Sequence, residues 1–82
     1  MTASDQQQQR IGSVAEFGAA LRCMRQSQHL TLEQLSGLSG LGVRFLSELE
    51  RGKPTAQLGK ALEVAKLLGL RLVLERGEGA DQ

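Results

Sequence analysis

Apolar residues recur through this chain first at a helical period and then, near the end, at a period of two. Phe17, Leu21 and Met24 follow one another at helical spacing, continued by Gln28 and flanked by Val14, Ala20 and Arg25. Ser13 precedes this run and Glu16 lies three residues on, the spacing of a capping box. In it Ser13 accepts from the Glu16 amide while the Glu16 carboxylate reaches back to the cap. The pattern predicts a first helix over about residues 14–27.

Thr31 and Gln34 repeat the capping box and open a second helix over about 32–38, ending at Ser39-Gly40. A third helix begins after Gly42 and covers about 43–51, with Gly52 at the position that follows a helix end. Lys53-Pro54 breaks the chain. Thr55 then stands where it can cap a fourth helix over about 56–68, with Leu58, Ala61, Leu62, Ala65 and Leu68 as its apolar face.

After Gly69 the period changes. Leu70, Leu72 and Leu74 alternate with Arg71, Val73 and Glu75, the pattern of a half-buried strand over residues 70–76. The sequence offers no second strand, and a lone strand leaves both edges unpaired in water. Pairing with the same strand of a second copy satisfies them. The expectation is therefore a homodimer closed by a two-stranded sheet, with Leu70, Leu72, Val73 and Leu74 at the contact. The competing reading is that the fourth helix frays into a short apolar tail.

Met1–Arg10 is polar, carries four consecutive glutamines and shows no apolar period, so it reads as a disordered tail. Residues 77–82 read as a second flexible tail. The domain proper is expected at 11–69.

Within it, residues 31–52 (TLEQLSGLSGLGVRFLSELERG) assign a steric task to almost every position. Gly40 can take a positive φ at the turn between helices two and three. Ser36, four residues earlier, is small enough to let those helices cross closely. Leu35, Leu38, Leu41, Leu46 and Leu49 tie them together, and Gly42 is an acceptable if weak N-cap. This is the spacing of a helix-turn-helix, whose second helix is presented to the DNA major groove. A leucine-rich helical hairpin would reproduce only part of it.

Composition narrows the function. With 82 residues the chain is one small domain that buries only about 60% of its unfolded surface, which makes a lone monomer marginal. Ten basic and nine acidic residues leave a net charge of +1, so any nucleic-acid face has to arise from local clustering. One Cys (Cys23) and one His (His29) provide neither a disulfide nor a metal-ligand spacing, and no nucleophile–base set can be assembled. No cofactor is expected and no enzyme activity. With no secretory segment and no apolar run of about 18 residues, a cytoplasmic protein without a membrane span is expected. His29 suits a left-handed position between helices one and two. Cys23 points off the Phe17–Met24 stripe and is expected to be partly exposed.

The segments Leu30–Leu35, Ser39-Gly40-Leu41 and Leu49–Lys53 resemble the XRE or Cro/C1-type helix-turn-helix family, over about residues 13–69. The resemblance implies a mainly α, lambda-repressor-like domain of four to five helices. The short strand after the last helix is further similar to HipB-type antitoxins, whose C-terminal strands pair in the dimer. Such proteins repress their own operon and bind a HipA-type kinase toxin.

Carried over position by position, the resemblance implies that Val43, Arg44, Ser47 and Glu48 read bases. Arg44 suits guanine, Val43 a thymine methyl group and Glu48 the amino group of cytosine; the competing reading of Arg44 is an ordinary solvated charge. Thr31, Gln34, Arg51 and Lys53 are the implied phosphate contacts, with the N-terminus of helix two aimed at the backbone. Family members often carry glutamine where this chain has Leu32, which removes one expected polar contact. The family also pairs an arginine late in helix one with the glutamate before the Arg-Gly turn, here Arg25 and Glu50. The implied partners are double-stranded operator DNA, a second copy of the chain and a HipA-like kinase toxin. The rival from another class is a protein-interaction module that neutralises a partner, with DNA binding incidental.

Overall fold

The computed structural model describes residues 8–77 and contains four helices: α1 (Val14–Ser27), α2 (Leu32–Ser39), α3 (Val43–Glu50) and α4 (Leu58–Leu67). No strand forms among the described residues, and the domain is mainly α. The expected N-terminal tail to residue 7 and the C-terminal tail from residue 78 lie outside the described residues.

The helix ends follow the local chemistry. Ser13 Oγ accepts from the Glu16 amide at 3.1 Å and starts α1. The Glu16 carboxylate does not return to Ser13; it accepts from the amide of Gly12 instead, so this capping box is only half formed. At α2 both halves are present. Thr31 Oγ1 accepts from the Gln34 amide at 3.0 Å, and Gln34 Oε1 accepts from the Thr31 amide at 2.8 Å. The Thr55 expectation fails: α4 starts at Leu58, two residues later than expected, its N-cap is Gln57, and no side chain caps it.

Three helices end in the same way. The amide two residues past the cap returns to a carbonyl five residues back: Leu30 to Arg25 at 3.1 Å, Lys53 to Glu48 at 3.0 Å and Leu70 to Ala65 at 2.8 Å. Each such turn needs one left-handed residue, and His29 (φ 60°), Gly52 (φ 85°) and Gly69 (φ 86°) supply it. His29 is the one non-glycine with positive φ among the described residues.

Helix α3 packs across α1 on one side and α2 on the other, and α2 also meets α4. The core consists of Leu21, Leu35, Leu46, Leu49, Ala61, Val64, Ala65 and Leu68, with Phe17, Met24, Leu41 and Phe45 packed against it. Full burial of one such leucine contributes about 1.5–3 kcal/mol. Three of the leucines assigned to packing are elsewhere: Leu38 (62% exposed), Leu58 (67%) and Leu62 (42%) face outward. On helices this short a leucine stripe is wider than the neighbour that covers it, and Val64 takes the inward position on α4.

Leu70 is drawn into the domain itself. It is half-buried against the core as the apolar residue after the α4 turn, whereas Leu72, Val73 and Leu74 are 51%, 61% and 102% exposed. Residues 71–77 adopt no regular structure in the single chain. Arg10 Nη1 and Glu75 Oε1, both exposed, lie 3.7 Å apart, so the two ends of the described residues are near each other.

Candidate nucleic-acid interface

Helix α3 turns its buried leucines toward one face and Arg44 and Glu48 toward another. Leu46 and Leu49 are 1% exposed, Phe45 packs on the core, and the Glu50 side chain is 7% exposed. The other face carries exposed Arg44 with half-buried Val43, Ser47 and Glu48, and exposed Arg51 extends it past the helix end.

What holds α3 in place is partly ionic. Arg25 Nε donates to Glu50 Oε2 at 2.7 Å and Arg25 Nη2 donates to Glu50 Oε1 at 3.0 Å, a two-pronged pair buried between α1 and α3. Arg25 Nη1 donates to the Leu30 carbonyl at 2.7 Å, so the same guanidinium also fixes the α1–α2 turn. The hydrogen bond to Glu50 raises the Arg25 pKa above its ordinary value. One acidic group is thereby spent inside the scaffold rather than on the exposed face.

Backbone proximity does the rest. A Cβ built on Gly18 of α1 would collide with the Leu49 carbonyl oxygen and stand 2.6 Å from that of Glu50. A Cβ on Gly52 would stand 2.6 Å from Cα of Ala15. Both glycines therefore mark places where α1 meets the main chain of α3 and the turn after it. The sequence pattern marks Gly52 only as a helix end and does not single out Gly18, although a glycine inside a helical pattern is itself a sign of close packing.

The turn between α2 and α3 is also locked by side chains. Gly40 has φ 76°, as the turn requires. Ser36 Oγ donates to the Leu41 carbonyl at 2.6 Å, and the Leu41 amide donates to Ser39 Oγ at 3.1 Å. The small residue at position 36 is a hydrogen-bond donor as well as a space-saver.

On the outer face the polar groups are already joined to one another. Arg44 Nε lies 3.5 Å from Glu48 Oε2, Lys53 Nζ lies 3.0 Å from Glu48 Oε1, and Arg51 Nη1 donates to Ser47 Oγ at 2.6 Å. The Lys53 hydrogen bond, with added attraction from Lys53 and Arg44, holds the Glu48 carboxyl below its ordinary pKa. Beside this network lies a shallow cleft lined by Phe45, Glu48, Lys53, Ala56 and Lys60. Lys60 Nζ stands 5.8 Å from the centre of the Phe45 ring, a basic residue next to the face that the motif did not flag.

Thr31 and Gln34 are both exposed and spend their side-chain acceptors on capping α2, which leaves the Thr31 hydroxyl proton and the Gln34 amide NH2 free to donate. Among the described residues no hydrogen bond or ion pair joins them to the α3 network. Leu32, at the position where glutamine was expected, is half-buried and packs on the core. Cys23 is exposed. Among the described residues no His, Cys, Asp or Glu side chains gather as a metal site, and no helix is long and apolar enough to cross a membrane.

Similarity to known proteins follows the same architecture. The Helix-turn-helix family model matches residues 21–74. The chain is 46% identical over 70 residues to y4mF of Sinorhizobium fredii, an uncharacterized HTH-type transcriptional regulator, covering 84% of this chain and 92% of that protein. It is 39% identical over 69 residues to the HTH-type transcriptional regulator Rv0474 of Mycobacterium tuberculosis, covering 74% of this chain and 49% of that one. Two solved structures share the fold at 22% identity. One is the MDT Protein, with a TM-score of 0.75 over 82% of this chain and 94% of that one. The other is a HipB variant in complex with an O2 20mer, with a TM-score of 0.76 over 83% of this chain and 94% of that one. With α3 held across α1 and α2 and its polar face turned outward, the chain belongs to the XRE-type helix-turn-helix family of DNA-binding transcriptional regulators.

Proposed function

We propose that this chain is a homodimeric, sequence-specific repressor that occludes its own promoter and acts in the cytoplasm at the nucleoid. The observation that carries this reading is the division of α3: Leu46, Leu49 and Glu50 are turned inward, while Arg44, Ser47, Glu48 and Arg51 lie along one outer face. Val43 and Arg44, at the N-terminal end of α3, enter deepest into the major groove, with Arg44 donating to guanine O6 and N7. Thr31 and Gln34 at the start of α2, with Arg51 and Lys53 after α3, contact phosphates and set the register. Two such helices about 34 Å apart span successive major grooves of a pseudo-palindromic operator, and repression is steric. The partner copy is held through residues 71–76, where Leu72, Val73 and Leu74 are exposed in the single chain.

Fluorescence anisotropy on the chain's own promoter DNA, titrated across salt, tests this. The promoter duplex binds more tightly than random sequence, and Arg44→Ala removes most of the difference. Equal affinity for both duplexes, unchanged by Arg44→Ala, rules the reading out.

The fold shared with HipB supports a more specific setting, the antitoxin of a toxin–antitoxin pair whose toxin is a HipA-like kinase. The exposed Leu58, Leu62 and Leu67 of α4 favour a protein partner of this kind, and they would equally serve an interaction module in which DNA binding is incidental. Copurification of a kinase encoded beside this chain, lost on Leu58→Glu/Leu62→Glu, supports the antitoxin role. A kinase that never associates removes it.

A further inference from the structure

Glu48 lies between the two cations best placed to meet DNA. Lys53 reaches Oε1 at 3.0 Å and Arg44 stands 3.5 Å from Oε2. The carboxylate is also the more enclosed partner, with its side chain 24% exposed against 92% for Arg44 and 48% for Lys53. While each cation is paired, the carboxylate partly neutralises its charge and weakens its attraction to a phosphate. A carboxylate brought near a duplex and stripped of its cations is repelled by the phosphates unless a donor meets it.

In the major groove the amino group N4 of cytosine is such a donor. We propose that Glu48 determines specificity by exchange: on non-cognate DNA it keeps Arg44 and Lys53, and on the operator a cytosine amino group replaces them and frees both for guanine and phosphate. This rests on the reading that the outer face of α3 meets DNA. It assigns Glu48 a second task beyond contacting a base, since the same carboxylate limits binding to every other sequence. Specificity then comes from suppressing non-cognate affinity as well as from matching the operator.

Salt dependence separates the two states, because log K falls with log salt by about 0.9 per phosphate neutralised. The wild-type chain, measured by anisotropy on promoter and random duplexes, should show a slope steeper on the promoter by roughly 1 to 2. Equal slopes overturn the exchange, and this measurement needs no variant. Glu48→Gln should steepen the random-duplex slope by a similar amount and tighten random-duplex binding several-fold, whereas Glu48→Asp, which keeps the charge, should not. Single C·G to T·A replacements across the promoter site should reveal a position where the wild type loses roughly tenfold and Glu48→Ala, which has no acceptor there, loses nothing.

If Glu48→Gln matches the wild type on random DNA and Glu48→Ala matches it at every cytosine, the exchange is wrong even when the wild type still prefers its promoter. If the wild type shows no preference, the repressor reading fails on its own readout.

Discussion

Gly18 sits so close to the end of α3 that a Cβ on it would stand 2.6 Å from the carbonyl oxygen of Glu50. Replacing a mid-helix glycine by alanine ordinarily stabilises by about 1 kcal/mol. Here the obstructing atoms are backbone, so Gly18→Ala should instead cost about 1–3 kcal/mol as α1 is pushed off α3. Gly37 in α2 is the control, because nothing lies within 4 Å of its Cβ position. Gly37→Ala should stabilise by up to about 1 kcal/mol. Urea unfolding followed by circular dichroism reads both, and the same sign for the two variants contradicts the crossing.

The buried pair gives a second test. Arg25→Met should destabilise by about 3–5 kcal/mol, because it leaves Glu50 charged and unpaired inside and also removes the donor to Leu30. Arg25→Met with Glu50→Leu together should recover a large part of that loss. Urea midpoints settle it: a double variant no more stable than the single one means that the apolar pair does not fit the site.

Acidification tests the outer network. Glu48 is held below the ordinary carboxyl value of 4.5, first by the hydrogen bond from Lys53. A depressed folded-state pKa means that its contribution is fully present above that ordinary value and disappears as pH falls through the lower folded value. Glu48→Gln should therefore melt slightly lower than the wild type at pH 7, by a few degrees at most for a surface network, and the gap should close in strongly acidic buffer. Scanning calorimetry at pH 7 and pH 3 checks the sign, and a gap that widens with acid reverses it.

The tail carries the fourth prediction, and the structure moves its cut site. Leu70 belongs to the α4 turn and the core, so a chain ending at Leu70 should keep its helical circular dichroism. Sedimentation should then shift from dimer to monomer, because Leu72, Val73 and Leu74 are gone. Promoter affinity should fall at least tenfold, since each half-site is left with one weakly held helix. A truncated chain that stays dimeric removes strand pairing as the cause.

Much of the helical framework was legible because it is written in local chemistry: capping Ser13 and Thr31, breaking Gly40, Gly52 and Pro54, and a period of 3.6 between them. Leu38, Leu58 and Leu62 were misplaced because periodicity marks a stripe without saying how wide its cover is. The Lys53–Glu48 contact was not legible for a different reason. It spans five residues, which no straight helix brings together, and it exists because the turn at Gly52 folds Lys53 back over the last turn of α3. By spacing, Gln28 continues the apolar stripe of α1. Its Nε2 instead donates to the Leu68 carbonyl at 2.7 Å, a contact fixed by the meeting of two helix ends forty residues apart.

The contacts at Gly18 and Gly52 bear on how a duplex would be met. Main chain rests against main chain at both places, so any roll or slide of α3 toward α1 meets backbone rather than a side chain that could give way. Adjustment is left to side-chain rotamers and to the nucleic acid. A rigid reader of this kind favours sequences whose grooves bend to it cheaply, including at base pairs that no residue touches.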